Sequence, residues 1–368
     1  MPLREDLDQL SEQQKTSIGS ALVPDMNEDR RHFLASLGLL GLGGTSHVEA
    51  LEHLRAAFTQ ALPGDHRVED WEEIAWEHGL AYLTSPPEVV LPNLAADLTA
   101  IQAAIRQASD EALRRRLCSP GGRLAALVAM TTGALGDHRQ ARDWWAAARH
   151  AADASGDRDL QVWVRGYEAM SSLYARRPLK VVLKRAEEAI AIAGDRRPGA
   201  AVLEAMAARA QALAIGGDRA AAEKTVTAMN RLFEALPASS ADDRLSVTAW
   251  PETALRHTQT FVFTHTGHMR AADQAAAAAL SLYPDSMPRQ RAQIRLLQAV
   301  ALARQGDVRA ALQHAHQTLD GLNADQQTTG IRRVAAMVAD AAPAGRAHAA
   351  AVAEYRERLA LPATGSWM

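Results

Sequence analysis

The sequence predicts an all-α fold built from a stack of helix pairs. Alanine dominates a hydrophobic share of 48%, while aromatic residues make up only 5%, and this balance favours close helix–helix packing over a sheet core. Four short turns, Gly136-Asp137, Gly217-Asp218, Gly267-His268 and Gly306-Asp307, join alanine-rich stretches, and a related break stands at Arg176-Arg177-Pro178. Together they recur about every 40 to 50 residues, a period typical of an α-solenoid in which each pair contacts mainly its neighbours.

Breaks rich in Pro, Gly and polar residues place the individual pairs along the chain. The first pair begins at Val68 and is divided by Ser85-Pro86-Pro87. Later pairs are expected at about 121–155, 158–193, 199–236, 252–283 and 288–322, and two helices near 327–340 and 344–360 would cap the stack. The interruption from Pro237 to Pro251 is interpreted as a loop between repeats. We expect residues 1–45 to form a flexible segment with a linker helix, and residues 46–368 to form the repeat domain.

Small residues recur at fixed distances from each turn glycine. Alanine stands seven residues before it at Ala129, Ala210 and Ala299, and five residues after it at Ala141, Ala222, Ala272 and Ala311. This pattern resembles the tetratricopeptide repeat (TPR), although the units here are more widely spaced than is usual in that family. The resemblance implies a right-handed solenoid of antiparallel helix pairs, whose first helices line a concave groove.

Several stretches show a closer resemblance. They are Trp71-Glu72-Glu73-Ile74, Tyr82 to Pro87, Gly136 to Trp145, Ala154 to Leu160, Trp250-Pro251-Glu252, and Leu255-Arg256-His257-Thr258 reaching Thr264-His265. These segments are similar to the C-terminal helical regions of actinobacterial regulators of the Cro/repressor helix-turn-helix class. Such regulators carry a DNA-binding domain ahead of the repeats, and residues 1–28 are too few to form one. The resemblance therefore implies a cytoplasmic sensor or adaptor that keeps the ligand-binding half of a transcriptional regulator.

The TPR geometry directs a mixed set of side chains toward the concave groove. Arg, Gln, Glu, His and aromatic residues together suit an extended peptide or a partner helix, which needs both hydrogen bonds and apolar pockets. The set comprises Arg123, Met130, Trp163, Arg165, Tyr167, Glu204, Gln211, Arg256, His257, Phe261, Thr264 and Gln293. The aromatic members are equally consistent with ordinary core positions, whereas Arg256 has no obvious partner in the sequence.

Motifs for metal binding and catalysis are weak. His265 and His268 have a spacing that could share a metal, but no third ligand stands nearby, and a histidine at a helix C-terminus also suits the macrodipole. The sequence contains no phosphate-binding loop, nucleophile elbow or His-Glu-x-x-His motif. We therefore expect no cofactor and no metal, and the sequence favours a non-enzymatic protein without deciding the point. An accessory protein or enzyme of a specialised-metabolite pathway, with a site in the same groove, is the alternative.

Charge and cysteine content narrow the partners and the compartment. A net charge of −3 argues against direct nucleic-acid binding, and the run Arg114-Arg115-Arg116 is interpreted as the end of a helix. The single Cys118 fits a reducing cytoplasm. The segment Arg30-Arg31-His32-Phe33-Leu34 resembles a twin-arginine export leader, but Glu28 and Asp29 precede it and no cleavage site follows. A cytoplasmic location is favoured.

The sequence thus favours a non-enzymatic TPR-type regulatory or adaptor protein. It would bind a peptide, a small-molecule signal or a protein partner in its groove, without contacting nucleic acid or membrane directly. Exposed edges of a solenoid often self-associate, so a homodimer is also among the expected assemblies.

Overall fold

The computed structural model describes residues 68–194, 199–236, 246–343 and 345–360. The chain divides into two units, Met1–Asp65 and His66–Met368, and every described residue belongs to the second. The expectations for residues 1–45 and for the Arg30-Arg31 segment lie outside the described residues.

The described residues form fourteen α-helices, one 3-10 turn at Ala324–Gln326 and no β-strand. The helices are α1 Val68–Thr84, α2 Pro87–Gln107, α3 Glu111–Ala134, α4 His138–Ser155, α5 Arg158–Tyr174, α6 Leu179–Ala193, α7 Ala201–Ile215, α8 Arg219–Glu234, α9 Glu252–Thr266, α10 Met269–Leu282, α11 Pro288–Arg304, α12 Val308–Asp320, α13 Thr329–Ala341 and α14 Arg346–Ala360. The predicted all-α class is confirmed. None of the described helices is both long enough and apolar enough to cross a bilayer.

The helices pack in adjacent pairs, as the sequence predicts. Each odd-numbered helix contacts the even-numbered helix that follows it, and also contacts the next odd-numbered helix, from α1 through α13. The odd-numbered helices therefore form one continuous row. The even-numbered helices join this row from the side, and α2 through α12 each bridge two of its members. The row is the part of the fold that builds the site described below.

The four turns require glycine because the backbone has a positive φ at that position. Gly136, Gly217, Gly267 and Gly306 have φ between 85° and 93°, a left-handed region that residues with a Cβ atom rarely adopt. In each turn the next residue donates its backbone N–H to a carbonyl five residues earlier, as Asp137 does to Thr132 at 3.0 Å. This bond satisfies a carbonyl that the end of the helix leaves without a partner.

The aspartate after the glycine explains the recurring Gly-Asp pair. The side chains of Asp137, Asp218 and Asp307 each accept a hydrogen bond from a backbone N–H in the first turn of the following helix, which caps that helix. Arg176 takes the left-handed position with φ 57°, and Arg177 donates its N–H to the Ser172 carbonyl. The break at Arg176-Arg177-Pro178 is therefore a turn of the same type without glycine.

The small residues counted outward from the turns are the crossing points of the helices. All of them are 5% exposed or less, namely Ala129, Ala210, Ala299, Ala141, Ala222, Ala272 and Ala311. An even closer approach occurs between α5 and α7, where a Cβ atom on Gly166 would lie 2.9 Å from the backbone nitrogen of Ala205. Side chains this small let adjacent backbones pack at close range.

One local prediction is wrong. The run Arg114-Arg115-Arg116 does not end a helix, because α3 begins at Glu111 and continues through Pro120. The arginines lie near the N-terminus of α3, where the helix dipole disfavours positive charge. Carboxylates compensate in part, since Arg114 pairs with Glu111 at 2.7 Å and Arg116 pairs with Glu69 of α1 at 2.9 Å.

Helices distant in the sequence meet across the row. The Arg289 guanidinium at the start of α11 donates to the backbone carbonyls of Tyr82 and Leu83 in α1, at 2.9 and 3.1 Å. Helix α13 contacts α3, and Nη2 of Arg176 lies 3.8 Å from Oδ2 of Asp340 on α13. These contacts bring the later odd-numbered helices back to the earlier ones, around a central space.

Candidate functional site

The odd-numbered helices surround two adjoining cavities, of about 240 and 220 Å³. Both are lined by Met170, Tyr174, Glu204 and Gln293, so we treat them as one space, called the inner cavity. Its walls come from all seven odd-numbered helices and from the segment 246–250 that precedes α9. Each helix contributes side chains from its inward face, and the site therefore depends on the whole row.

Tyrosine is concentrated at the inner cavity. Four of the five tyrosines in the chain line it, namely Tyr82, Tyr167, Tyr174 and Tyr283. Burial raises the pKa of each phenol, and raises the pKa of Tyr283 to about 12, so all four are neutral at physiological pH. In a protein with so few aromatic residues, this clustering marks the cavity as chemically distinct from the alanine-rich packing around it.

The four hydroxyl groups differ in their partners. Tyr167 donates to the Val247 carbonyl at 3.0 Å, and Tyr283 lies 3.5 Å from the Thr253 carbonyl. The hydroxyls of Tyr82 and Tyr174 make no hydrogen bond to any residue that the structure describes. Two phenols are thus fixed as part of the wall, and two remain able to bond to an occupant.

Glu204 of α7 places a carboxyl group on the wall of both cavities. The Trp250 indole donates a hydrogen bond to its Oε2 atom at 3.0 Å, and no cation among the described residues forms an ion pair with it. Burial raises the pKa of Glu204 to about 7, and the indole lowers it by less. At neutral pH the group is therefore divided between its carboxylate and carboxylic acid forms.

Gln211 and His257 add buried polar atoms without partners. Gln211 lies on α7, is 2% exposed, and its Oε1 atom makes no hydrogen bond to the described residues. The Nε2 atom of His257 on α9 is likewise buried and without a partner, and burial lowers the pKa of this imidazole to about 4. An unsatisfied buried polar group costs free energy unless a water or a ligand bonds to it.

The segment 246–250 forms one wall of the inner cavity. Its Val247 packs so tightly on α1 that a Cβ atom on Gly79 would lie 2.7 Å from Cγ1 of Val247. The Val247 carbonyl accepts hydrogen bonds from both Trp163 and Tyr167 of α5, while Trp250 is bonded to Glu204. The sequence identified this stretch as a loop between repeats but gave no indication that it packs against α1, α5 and α7.

Six of the side chains predicted to face the groove line the inner cavity: Met130, Tyr167, Glu204, Gln211, His257 and Gln293. Arg123 and Trp163 line a separate cavity of about 160 Å³ together with Thr248. The structure thus brings the predicted residues of α3, α5, α7, α9 and α11 to a common space, although not all to the same cavity.

The other four predicted residues lie elsewhere. Arg165 pairs with Asp153 at 2.9 Å, and Arg256 pairs with Glu252 at 2.6 Å. Phe261 and Thr264 are fully buried. The partner of Arg256 stands four residues earlier on the same helix face, a spacing that forms ion pairs routinely, so the interpretation that Arg256 has no partner in the sequence is wrong.

The two histidines with metal-like spacing have separate contacts. Nδ1 of His265 is 2.8 Å from the Phe261 carbonyl, and its ring stacks on Phe261 with centroids 4.2 Å apart. Nε2 of His268 is 2.9 Å from Glu223. Within the part of the chain that the structure describes, no group of three or more His, Cys, Asp or Glu side chains is arranged to hold a metal ion.

Sequence reasoning missed four important wall residues: Tyr82, Tyr174, Tyr283 and Trp250. Tyr174 stands seven residues after Tyr167, two helical turns along the same face, so this spacing could have identified it. Tyr82 lies in the last turn of α1 and Tyr283 directly follows α10, where periodicity carries little information. Only the return of α11 onto α1 brings these helix ends to the cavity.

No protein-family model and no curated protein matches the chain. The resemblance to TPR regions of actinobacterial regulators therefore stays a prediction, based on the residues quoted above, and the chemistry of the inner cavity is the main guide to function.

Proposed function

We propose that this chain is a non-enzymatic regulatory or adaptor protein that binds a small polar molecule in its inner cavity. In this proposal the helix pairs form a right-handed TPR-type solenoid, and the protein acts in the cytoplasm on a protein partner. The observation that supports it most strongly is the content of the cavity. It holds four tyrosines, together with a carboxyl group that has no ion-pair partner and a buried Gln211 amide oxygen that has no donor among the residues the structure describes.

The surroundings of the cavity favour a small molecule over a long extended peptide. Arg289 joins α11 to α1, and the segment 246–250 packs across α1, α5 and α7. An extended peptide needs an open groove along which its backbone can bond. A compact cavity with a few converging polar groups is instead typical of small-molecule sites.

The architecture also suggests how a ligand would act on a partner. A molecule in the inner cavity would contact side chains from several odd-numbered helices at once. Its binding energy would favour the arrangement in which α3 meets α13 and α1 meets α11, at the expense of more open arrangements. Partner binding would then depend on the ligand without any contact between the two.

The test is to fill the cavity. Ala254 lines it, and the substitution Ala254→Phe would occupy its space; Ala220→Phe places the same ring on the exposed start of α8 as a matched control. Each protein is incubated with a metabolite extract, separated from unbound molecules and analysed by native mass spectrometry. We expect a bound mass on the original protein and on Ala220→Phe that is lost from Ala254→Phe, with helicity unchanged by circular dichroism.

Retention of the same mass by Ala254→Phe, or no bound mass on any of the three proteins, would contradict the proposal. A bound peptide that is displaced by Ala254→Phe would preserve the site but replace the small molecule as its ligand.

Glu204 supports a second candidate, an enzyme or accessory protein that transfers protons. A partly buried carboxyl group with a pKa of about 7 is suited to general acid–base catalysis at neutral pH. In that case the original protein would consume its bound molecule over time, and Glu204→Gln would bind the molecule without changing it. Recovery of the ligand unchanged after long incubation would favour the binding protein.

A further inference from the structure

We propose that the ligand of the inner cavity carries a primary ammonium group, which is bound by the Glu204 carboxylate and the Gln211 amide oxygen among the four tyrosines. This inference rests on the proposed function and specifies the chemical class of the ligand. It follows from the acceptors, the aromatic rings and the distribution of charge within the cavity.

The first argument is a surplus of hydrogen-bond acceptors. Among the described residues, Glu204 accepts a hydrogen bond only from the Trp250 indole, and the buried Oε1 atom of Gln211 accepts none. Both side chains lie on α7, seven residues apart and thus on one face of the helix, and both line the cavity. An ammonium group offers three N–H donors and no acceptor, so its hydrogen-bonding capacity matches this surplus of acceptors.

The second argument is the aromatic surround. The faces of Tyr and Trp rings carry negative electrostatic potential and attract organic cations. Tyr82, Tyr167, Tyr174 and Tyr283 line the same space as Glu204. Their raised pKa values keep the phenols uncharged, so the rings add attraction for a cation while Glu204 supplies the countercharge.

The third argument is that no cation among the described residues is paired with Glu204. Arg289 is bonded to the backbone of α1. Arg333 acts on the electrostatics of Tyr174, but its Nε and Nη1 atoms have no hydrogen-bond partner among the described residues, and it forms no ion pair with Glu204. Burial, followed by the Trp250 hydrogen bond, accounts for the shifted pKa of Glu204. His257, on α9, is neutral above its pKa of about 4 and cannot serve as the countercharge near pH 7.

Binding of an ammonium group therefore has a proton signature. The cation favours the charged form of Glu204 and lowers its pKa, so binding near pH 7 releases protons from the carboxyl group. Affinity should rise with pH between about 6 and 8, since the carboxylate population increases through the pKa of about 7. The titratable or charged groups around Glu204 are Tyr82, Tyr167, Tyr174, Tyr283, His138, His257, Arg289 and Arg333. Burial shifts the pKa values of the tyrosines and of His257 away from this interval.

The experiment uses three probes of similar size: n-butylammonium, the neutral n-butanol, and tetramethylammonium, a cation without N–H donors. Binding to the full chain is measured by saturation-transfer difference NMR and by isothermal titration calorimetry in two buffers of different ionisation enthalpy. The same measurements are made on Glu204→Gln and on Glu187→Gln, which removes a carboxylate from an exposed position on α6.

We expect n-butylammonium to bind with proton release and more tightly than the other two probes. Glu204→Gln should weaken this binding about tenfold or more, because a charge-assisted hydrogen bond is replaced by a neutral one, while Glu187→Gln should leave it unchanged. Absence of n-butylammonium binding, equal binding of n-butanol, or equal affinity in Glu204→Gln would overturn the inference.

The two proposals fail in distinguishable ways. If the cavity-filling variant Ala254→Phe displaces a ligand that lacks an amine, the proposed binding function stands and the ammonium inference falls. If n-butylammonium binds equally to Ala254→Phe and to the original protein, its site is outside the inner cavity, which overturns the ammonium inference whatever ligand the cavity holds.

Discussion

Glu168 of α5 and Glu204 of α7 lie on neighbouring helices, and they differ in whether arginine side chains neutralise the carboxylate. Glu168 is 2% exposed and faces three guanidinium groups: Arg149, which is hydrogen-bonded to it, Arg185 at 3.2 Å and Arg177 at 4.0 Å. Glu204 faces the inner cavity with only the Trp250 indole as a partner among the described residues. Within the described part of the chain, the fold thus supplies cations to Glu168 and none to Glu204.

This difference separates a carboxylate that stabilises the fold from one that is available to bind a ligand. Helices α4, α5 and α6 each contribute to the Glu168 cluster, so it ties two helix pairs together where Arg176 replaces the usual turn glycine. A buried carboxylate satisfied by its own protein has little to offer a ligand. One that keeps an unsatisfied oxygen next to a cavity can bind an external cation, and its cost in the empty protein is offset only when the ligand is present.

The largest effect expected from this comparison is on folding stability. Glu168→Gln removes the charge while keeping the shape of the side chain, and leaves three guanidinium groups facing each other. Breaking a buried ion pair from one side costs about 3 kcal/mol or more, so the free energy of unfolding measured with urea should fall by about that amount. Glu187→Gln, at an exposed position of α6, is the control, and its free energy of unfolding should change by less than about 0.5 kcal/mol. A loss below about 1 kcal/mol for Glu168→Gln would mean that the arginines find alternative partners in water.

Most of the fold could be predicted from the sequence because the residues that determine it lie close together in the chain. A glycine in a left-handed turn, the aspartate that caps the next helix, and an alanine at each crossing all lie within about ten residues of one another. The error at Arg114-Arg115-Arg116 has the same origin: a run of arginines suits a helix end, and the pairing of Arg116 with Glu69 from another helix is not visible locally.

The residues of the inner cavity could be predicted only in part, because the cavity depends on contacts between elements that are distant in the sequence. Glu204, Gln211, His257 and Gln293 were identified because they lie on inward faces of regular helices. Tyr82 and Trp250 reach the cavity only because Arg289 joins α11 to α1 and the segment 246–250 folds back onto α5 and α7. No periodic pattern encodes such contacts, and the chemical character of the site depends on them.

A second, smaller effect sharpens the comparison through pH. The pKa of Glu204 is about 7 in the folded protein, against a reference of 4.5, so between these values the folded state binds more protons than the unfolded state. Stability due to this group is fully present below about pH 4.5 and is lost as the pH rises to about 7. Glu204→Gln cannot titrate, so the stability of the original protein should fall relative to this variant by about 2 kcal/mol from pH 5 to pH 7.

The two buried histidines make this difference measurement necessary. Burial lowers the pKa of His257 and of His265 to about 4, and these groups contribute the opposite slope, because their stability is lost as the pH falls. Both histidines are present in the original protein and in Glu204→Gln, so their contributions cancel when the two unfolding curves are subtracted. A constant difference across this pH range would show that Glu204 has an ordinary pKa.

The smallest effect distinguishes the cations that surround Glu168. Arg149 is hydrogen-bonded to its carboxylate and is 20% exposed, whereas Arg177 lies 4.0 Å away, is 33% exposed and donates to the Ser172 hydroxyl instead. Arg149→Met should therefore lower the free energy of unfolding by about 1 kcal/mol, and Arg177→Met by about half of that or less. The two variants remove the same charge and keep a similar apolar stem, so the measurement isolates contact with Glu168. Equal losses would indicate that the cluster acts through its summed charge, in which case geometry alone does not separate the Glu168 cluster from the open carboxyl group of Glu204.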